Sequence, residues 1–299
     1  MTDGASALAR RMNVPEIVIG LTIVACGTSA PEFFVSLMSA LQGTPDLAVG
    51  NVVGSNIFNT LLIVGVSAMV APMTIRPATV KKDIPCSVMA SVLLLCLCLD
   101  GFPDMNVAGH TLGRLDGLLL LAVFAAFMYY TLYMARHGQA DPQAAVGKPQ
   151  KPWVSCAFIL LGLACLIIGS NIFVSAASDI ARSLNVSEAV IGLTIVAGGT
   201  SLPELATSVV AARKGQSDMA IGNVIGSNVF NILLILGATS VISPLHIEGI
   251  TTIDMMMLLG SVMMLWLFSF TSHKVERWEG MVLTATFMAY MGWLLSQVV

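Results

Sequence analysis

Aligned with itself at an offset of 172 residues, the chain repeats one segment. Asn13 to Ile63 matches Asn185 to Ile235 without a gap, and 32 of the 51 positions are identical. A gap-free duplication of that length requires one local structure to be built twice, so the fold has to place two related halves against each other. The chain that carries the repeat is 56% hydrophobic and only 10% charged, with mean hydropathy +0.86. Ordinary soluble chains carry about 25% charged residues. The reading is therefore an all-α integral membrane protein. A spanning helix needs about 20 apolar residues, and runs of that kind fall at 14–40, 48–70, 84–100, 112–135, 154–182, 186–212, 219–242, 251–270 and 279–297.

Those nine runs divide unequally. The halves are 1–135, with its repeat at 13–63, and 153–299, with its repeat at 185–235; the polar stretch 136–152, rich in Pro, Gly and Gln, reads as a linker between them. The second half holds five runs and the first holds four. The same offset sets Met1 against Phe173, so the expectation is that only the tail of an opening helix, through Arg11, is present. The architecture expected is five plus five helices, with most of the first missing from this chain.

Basic residues test the arrangement, because cytoplasmic loops carry the excess of Lys and Arg. With Arg10 and Arg11 inside, the span count puts twelve of the fourteen basic residues on one side, leaving only Arg114 and Arg182 outside. The two copies then begin on opposite faces. That is an inverted-topology repeat, the plan of secondary transporters that bind their substrate at the midplane between copies. It predicts a multi-pass cell-membrane protein, in the inner membrane for a Gram-negative source, with the linker cytoplasmic.

Composition excludes other classes. A net charge of −3 gives no basic field for nucleic acid. The six cysteines form no CxxC pair and have no histidine close by, which argues against a zinc site or a disulfide framework. The N-terminus lacks the apolar core of a signal peptide. His110, His137, His246 and His273 all lie in loops or at span ends, so no buried base can activate a serine, and no aspartate pair sits at depth. An intramembrane enzyme is disfavoured on that inventory, and no cofactor is expected.

Chemistry concentrates in two paired motifs. Gly27-Thr28-Ser29-Ala30-Pro31-Glu32 and Gly199-Thr200-Ser201-Leu202-Pro203-Glu204 each set a glycine and a proline inside an apolar run, which breaks a helix. A break at membrane depth is tolerated where it is buried in protein or lines a wet cavity. Freed carbonyls near Ala25 and Ala197, together with the hydroxyls of Thr28, Ser29, Thr200 and Ser201, are expected to face one another across the repeat interface. Glu32 and Glu204 are the acidic residues near mid-span, and an ionisable group there costs at least about 2.5 to 3.5 kcal/mol. A cation is the natural partner, since two carboxylates match one divalent ion and Ca²⁺ takes six to eight hard oxygens.

The second motif is Gly50-Asn51-Val52-Val53-Gly54-Ser55-Asn56-Ile57-Phe58-Asn59, repeated at Gly222 to Asn231. Glycines four apart permit close helix packing. Ser55 with Asn59, and Ser227 with Asn231, lie four apart on one helical face and can present oxygens to the carboxylates. Asn56 and Asn228 point elsewhere and are expected to bond a neighbouring helix.

Finding GTSxPE followed by GNxxGSNxFN twice, across nearly the whole chain, resembles the two alpha-repeats of the cation/calcium exchanger superfamily, particularly prokaryotic sodium/calcium exchangers. The resemblance implies a ten-helix inverted fold and antiport of Ca²⁺ against Na⁺, three Na⁺ replacing one Ca²⁺, with no resident cofactor and a monomeric functional unit. It implies that Glu32 and Glu204 are ligands shared by both ions and that Thr28 and Thr200 give side-chain and backbone oxygens. Ala25 and Ala197 would contribute carbonyls. Ser29, Ser201, Ser55, Ser227, Asn59 and Asn231 would complete the Na⁺ sites. Some relatives, the potassium-dependent ones included, carry aspartate where this chain has Asn59 or Asn231, which counts against K⁺ co-transport. The alternatives are a Ca²⁺/H⁺ or other cation/H⁺ antiporter using the same glutamates, and a K⁺-dependent Na⁺/Ca²⁺ exchanger.

Overall fold

Each copy of the repeat folds as a bent helix followed by a straight one. In the computed structural model, which describes residues 14–99, 110–137, 152–271 and 273–296, the first copy supplies α1 (Ile17–Thr28), α2 (Ala30–Leu41) and α3 (Pro45–Val70). Helices α4 (Ile84–Cys98) and α5 (Arg114–His137) complete the first half. The second half runs α6 (Pro152–Ser183), α7 (Glu188–Thr200), α8 (Leu202–Arg213), α9 (Ser217–Ile242), α10 (Thr252–Phe270) and α11 (Arg277–Ser296). With α1–α2 and α7–α8 each taken as one bent unit, these occupy all nine expected runs. Among the described residues, five straight helices and the two bent pairs are long and apolar enough to cross a membrane. Expectations that concern Arg10, Arg11 or most of the linker fall outside the described residues.

The bends lie where the glycine–proline pairs put them. Ser29 and Ser201 leave the helical region, at φ −81°, ψ 6° and φ −84°, ψ 6°, and each bend measures 45°. Pro31 and Pro203 sit in the first turn of the half-helix that follows, where proline's fixed φ already suits a helix. One feature escaped the sequence reading. The repeated spans contain matched π-helical stretches, Gly20–Val24 with Gly192–Val196 and Phe58–Ile63 with Phe230–Leu236.

The two copies cross each other at their glycines. A Cβ on Gly54 would stand 2.5 Å from the Leu193 carbonyl of α7, and one on Gly226 would stand 2.7 Å from Ala25 Cβ of α1. Helix α3 therefore lies against α7, and α9 against α1, with backbones in contact. Outer helices cover this centre: α11 packs on the end of α3, α5 on the end of α9, and α6 along α7 and α8.

The ends of the molecule report which loops share a face. Antiparallel pairing joins β1 (Met73–Thr74) to β4 (Lys274–Val275), and Arg76 forms an ion pair with Asp218 at the start of α9. At the other end β2 (Thr111–Leu112) pairs with β3 (Leu245–His246), and Asp46 at the start of α3 accepts the backbone N–H groups of Glu248 and Gly249. Segments that the basic-residue count places on the same side do meet.

Candidate functional site

Glu32 and Glu204 are the third residues of α2 and α8, immediately past the breaks, and both are fully buried. A helix N-terminus favours negative charge, and no basic residue occurs from Asn13 to Ile75 or from Ser183 to Ala212 to pair with them. The partners come across the repeat boundary. Ser29 donates to Glu204 Oε1 at 2.9 Å, and Ser201 donates to Glu32 Oε1 at 3.0 Å. The expected facing of the two breaks is present, but each serine meets the other copy's glutamate rather than its hydroxyls.

The threonines do likewise. Thr28 Oγ1 lies 3.2 Å from Asn223 Oδ1, and Thr200 Oγ1 lies 3.1 Å from Asn51 Oδ1. Each of those asparagines in turn donates to the backbone carbonyl of its own copy's glutamate, Asn51 to Glu32 at 3.2 Å and Asn223 to Glu204 at 3.4 Å. Asn51 and Asn223 were not among the site residues read from sequence. The signal was present, since each is one helical turn before Ser55 or Ser227 and extends the same polar stripe.

Two expectations need correction. The carbonyls of Ala25 and Ala197 are not freed by the break: they accept the N–H groups of Ser29 and Ser201 at 2.9 and 3.1 Å. Proline strips the donor from the carbonyl four residues before it, which is Gly27 or Gly199, and Gly199 recovers one from Ser170 Oγ at 2.6 Å. The second correction concerns the serine–asparagine pairs, which do not act alike. Ser227 donates to Glu204 Oε1 at 3.3 Å, whereas Ser55 donates to the Ala197 carbonyl at 3.3 Å.

Asn56 and Asn228 bond the neighbouring helix as expected, and they bind Asn59 and Asn231 into a clasp between α3 and α9. Asn59 Nδ2 donates to Asn228 Oδ1 at 3.2 Å, and Asn231 Nδ2 donates to Asn56 Oδ1 at 3.0 Å. The clasp consumes amide nitrogens and leaves amide oxygens. Four buried oxygens of the network then have no hydrogen-bond partner: Glu32 Oε2, Glu204 Oε2, Asn59 Oδ1 and Asn231 Oδ1. Buried polar atoms in folded proteins are paired, so oxygens left over in matched pairs call for a hard cation. Among the described residues no cluster of three or more His, Cys, Asp or Glu side chains is present. A hard cation bound here would meet two carboxylates, with hydroxyls and amides as the other side-chain oxygens. Apolar cavities flank both breaks, one of about 250 Å³ with Ser29 and Phe230 in its wall and one of about 390 Å³ bordered by Gly199 and Phe58.

A family model described as sodium/calcium exchanger protein matches residues 1–133 and 154–296. The chain belongs to the sodium/calcium exchanger family. Among its relatives is a putative antiporter, CaxA of Alkalimonas amylolytica, 39% identical over 98% of this chain and 92% of its own length. Sodium/calcium exchanger MaX1 of Methanosarcina acetivorans is 33% identical over 96% of this chain and 91% of its own. Among solved structures, the sodium-calcium exchanger NCX_Mj soaked with Na⁺ and Ca²⁺ superposes with a TM-score of 0.78 at 32% identity, covering 97% of this chain and 90% of that one. The exchanger family consists of membrane transporters, and this member is a multi-pass cation antiporter rather than an enzyme.

Proposed function

We propose that this chain exchanges Ca²⁺ for Na⁺ across the cell membrane by alternating access, with both ions using the oxygens between the two breaks. One observation carries the reading. The two free carboxylate oxygens and the two free amide oxygens are buried, come in pairs from opposite repeats, and have no basic residue between Asn13 and Ile75 or between Ser183 and Ala212 to neutralise them. Two carboxylates match the charge of one Ca²⁺. Thr28 and Thr200 add hydroxyls at the same breaks, and the Ser29, Ser201, Ser55 and Ser227 hydroxyls add the neutral oxygens that Na⁺ needs. An ion entering the cage takes over the bonds that Ser29 and Ser201 make to the glutamates.

Because both ions claim the same carboxylates, binding of one expels the other, and antiport follows from that competition. Replacing one Ca²⁺ by three Na⁺ would move one net charge per cycle. All the proposed ion-binding residues come from one chain, which supports a monomeric transport unit, and the basic-residue count supports an orientation with 136–152 in the cytoplasm. The relative named a sodium/calcium exchanger supports this choice of ions.

The test is ⁴⁵Ca²⁺ uptake into Na⁺-loaded vesicles. Wild type should take up Ca²⁺ only with an outward Na⁺ gradient, and Glu32→Gln or Glu204→Gln should lose that uptake. Wild-type rates in either variant would refute the site. Uptake driven by a pH gradient without Na⁺ would favour a cation/H⁺ antiporter instead.

A further inference from the structure

Two more buried oxygens lack partners at matched positions. Ser67 Oγ and Thr239 Oγ1 are hidden from solvent, and neither has a hydrogen bond. Ser67 and Thr239 are the same position in the two copies, 172 residues apart. A buried hydroxyl on a helix ordinarily bonds the carbonyl one turn back, as Thr60 does to Asn56 at 2.8 Å and Ser240 to Leu236 at 2.7 Å. These two do not.

Their direction follows from their neighbours. Gly65 is pressed against α11, its Cβ position 2.8 Å from the Gly280 carbonyl, and Gly237 against α5, 3.2 Å from the Gly117 carbonyl. Two residues further on is about 200° around an α-helix. Ser67 therefore turns away from α11 to the side where α3 packs along α8, and Thr239 turns away from α5 to the side where α9 packs along α2. Those are the half-helices that carry Glu204 and Glu32.

Both hydroxyls also follow the cage residues along their own spans. Each lies eight residues beyond Asn59 or Asn231, roughly 12 Å along the axis at about 1.5 Å per residue. The intervening π stretches, Phe58–Ile63 and Phe230–Leu236, turn less per residue than an α-helix and bring the later position back onto the asparagine face. Ile63 and Ile235, both buried, lie midway in sequence, four residues beyond Asn59 and Asn231 and four before Ser67 and Thr239. The spans run in opposite senses, so Ser67 lies toward the end of the molecule that carries the Arg76–Asp218 pair, and Thr239 toward the end where Asp46 holds Glu248 and Gly249.

We propose that Ser67 and Thr239 are outlying cation contacts, one on each side of the cage, where a partly hydrated Na⁺ or Ca²⁺ exchanges a water for a hydroxyl oxygen before passing Ile63 or Ile235. The proposal rests on the exchange reading and adds to it the route to each face. Its signature is sidedness, since each hydroxyl serves ions arriving from one face only.

The experiment compares right-side-out and everted membrane vesicles, measuring Na⁺-driven ⁴⁵Ca²⁺ uptake against Ca²⁺ concentration. Thr239→Val should raise the apparent KM about three- to ten-fold in one vesicle type and leave the other unchanged, and Ser67→Ala should do the same in the opposite type. Ser67→Thr and Thr239→Ser retain the hydroxyl and should keep wild-type KM from both faces. Unchanged KM in both hydroxyl-free variants, or equal shifts from both faces, would overturn the proposal while leaving exchange intact. Wild-type vesicles without Na⁺-driven uptake would instead overturn the exchange reading, and this proposal with it.

Discussion

The glutamates at the two breaks are held by unequal numbers of hydroxyls, and that inequality has a measurable consequence. Glu204 Oε1 accepts from both Ser29 and Ser227, while Glu32 Oε1 accepts from Ser201. Hydrogen bonds to a charged group are worth about 1.5 to 3 kcal/mol, and the same hydroxyls are the nearest neutral oxygens for an incoming ion. Ser201→Ala should therefore weaken the apparent Na⁺ affinity of exchange by about ten-fold or more, and Ser29→Ala by less, because Ser227 still reaches Glu204. Na⁺ activation curves of ⁴⁵Ca²⁺ uptake give both values, and a larger effect from Ser29→Ala would show that the hydroxyls do not act through the carboxylates. At this scale Glu32 and Glu204 were legible in the sequence because an acidic residue deep in an apolar run has no cheap explanation. Asn51 and Asn223 were less so: their role depends on reaching Thr200 and Thr28 of the other copy, 149 and 195 residues away in the chain. No local pattern encodes that distance.

At the scale of elements, the glycines of α3 and α9 set how closely the copies approach. Adding a methyl at Gly54 or Gly226 puts it within 2.8 Å of backbone atoms of Leu193 or Leu21, and overpacking of that kind costs about 1 to 3 kcal/mol. Gly54→Ala and Gly226→Ala should each lower the melting temperature of the detergent-solubilised protein by several degrees. Gly169→Ala on α6, where a Cβ meets nothing within 4 Å, is the control and should hold or raise it, since alanine is the better helix former. The Gly-to-Pro breaks and the close-packed glycines could be read beforehand, because each follows from the backbone chemistry of a single residue type. The π stretches could not. Phe58–Ile63 and Phe230–Leu236 have the same apolar composition as the α-helical turns around them, and the wider turn is set by what the span packs against. The two-residue strands were equally hidden, because Met73–Thr74 becomes a strand only when Lys274–Val275 arrives from the end of the other half.

For the whole molecule, the inverted arrangement makes a claim about faces that chemical labelling can test without any transport measurement. Thr74 pairs with Lys274 and Thr111 with His246, in separate two-stranded ribbons. Directly opposed residues in such ribbons have Cα atoms about 4.5 to 5.5 Å apart, within the range a disulfide bridges. In a background with the six native cysteines replaced, Thr74→Cys with Lys274→Cys should cross-link on mild oxidation, and so should Thr111→Cys with His246→Cys. Before oxidation, a membrane-impermeant maleimide should label the first pair in everted vesicles and the second in right-side-out vesicles, since Lys274 falls on the basic, cytoplasmic side of the span count. Labelling of both pairs from one face would break the inverted topology. On the proposed exchange reading, a cage assembled from two oppositely oriented copies has Glu32 and α2 leading toward one face and Glu204 and α8 toward the other. A single site can then be emptied to either side without being rebuilt, which is what competition between two ions needs in order to become antiport.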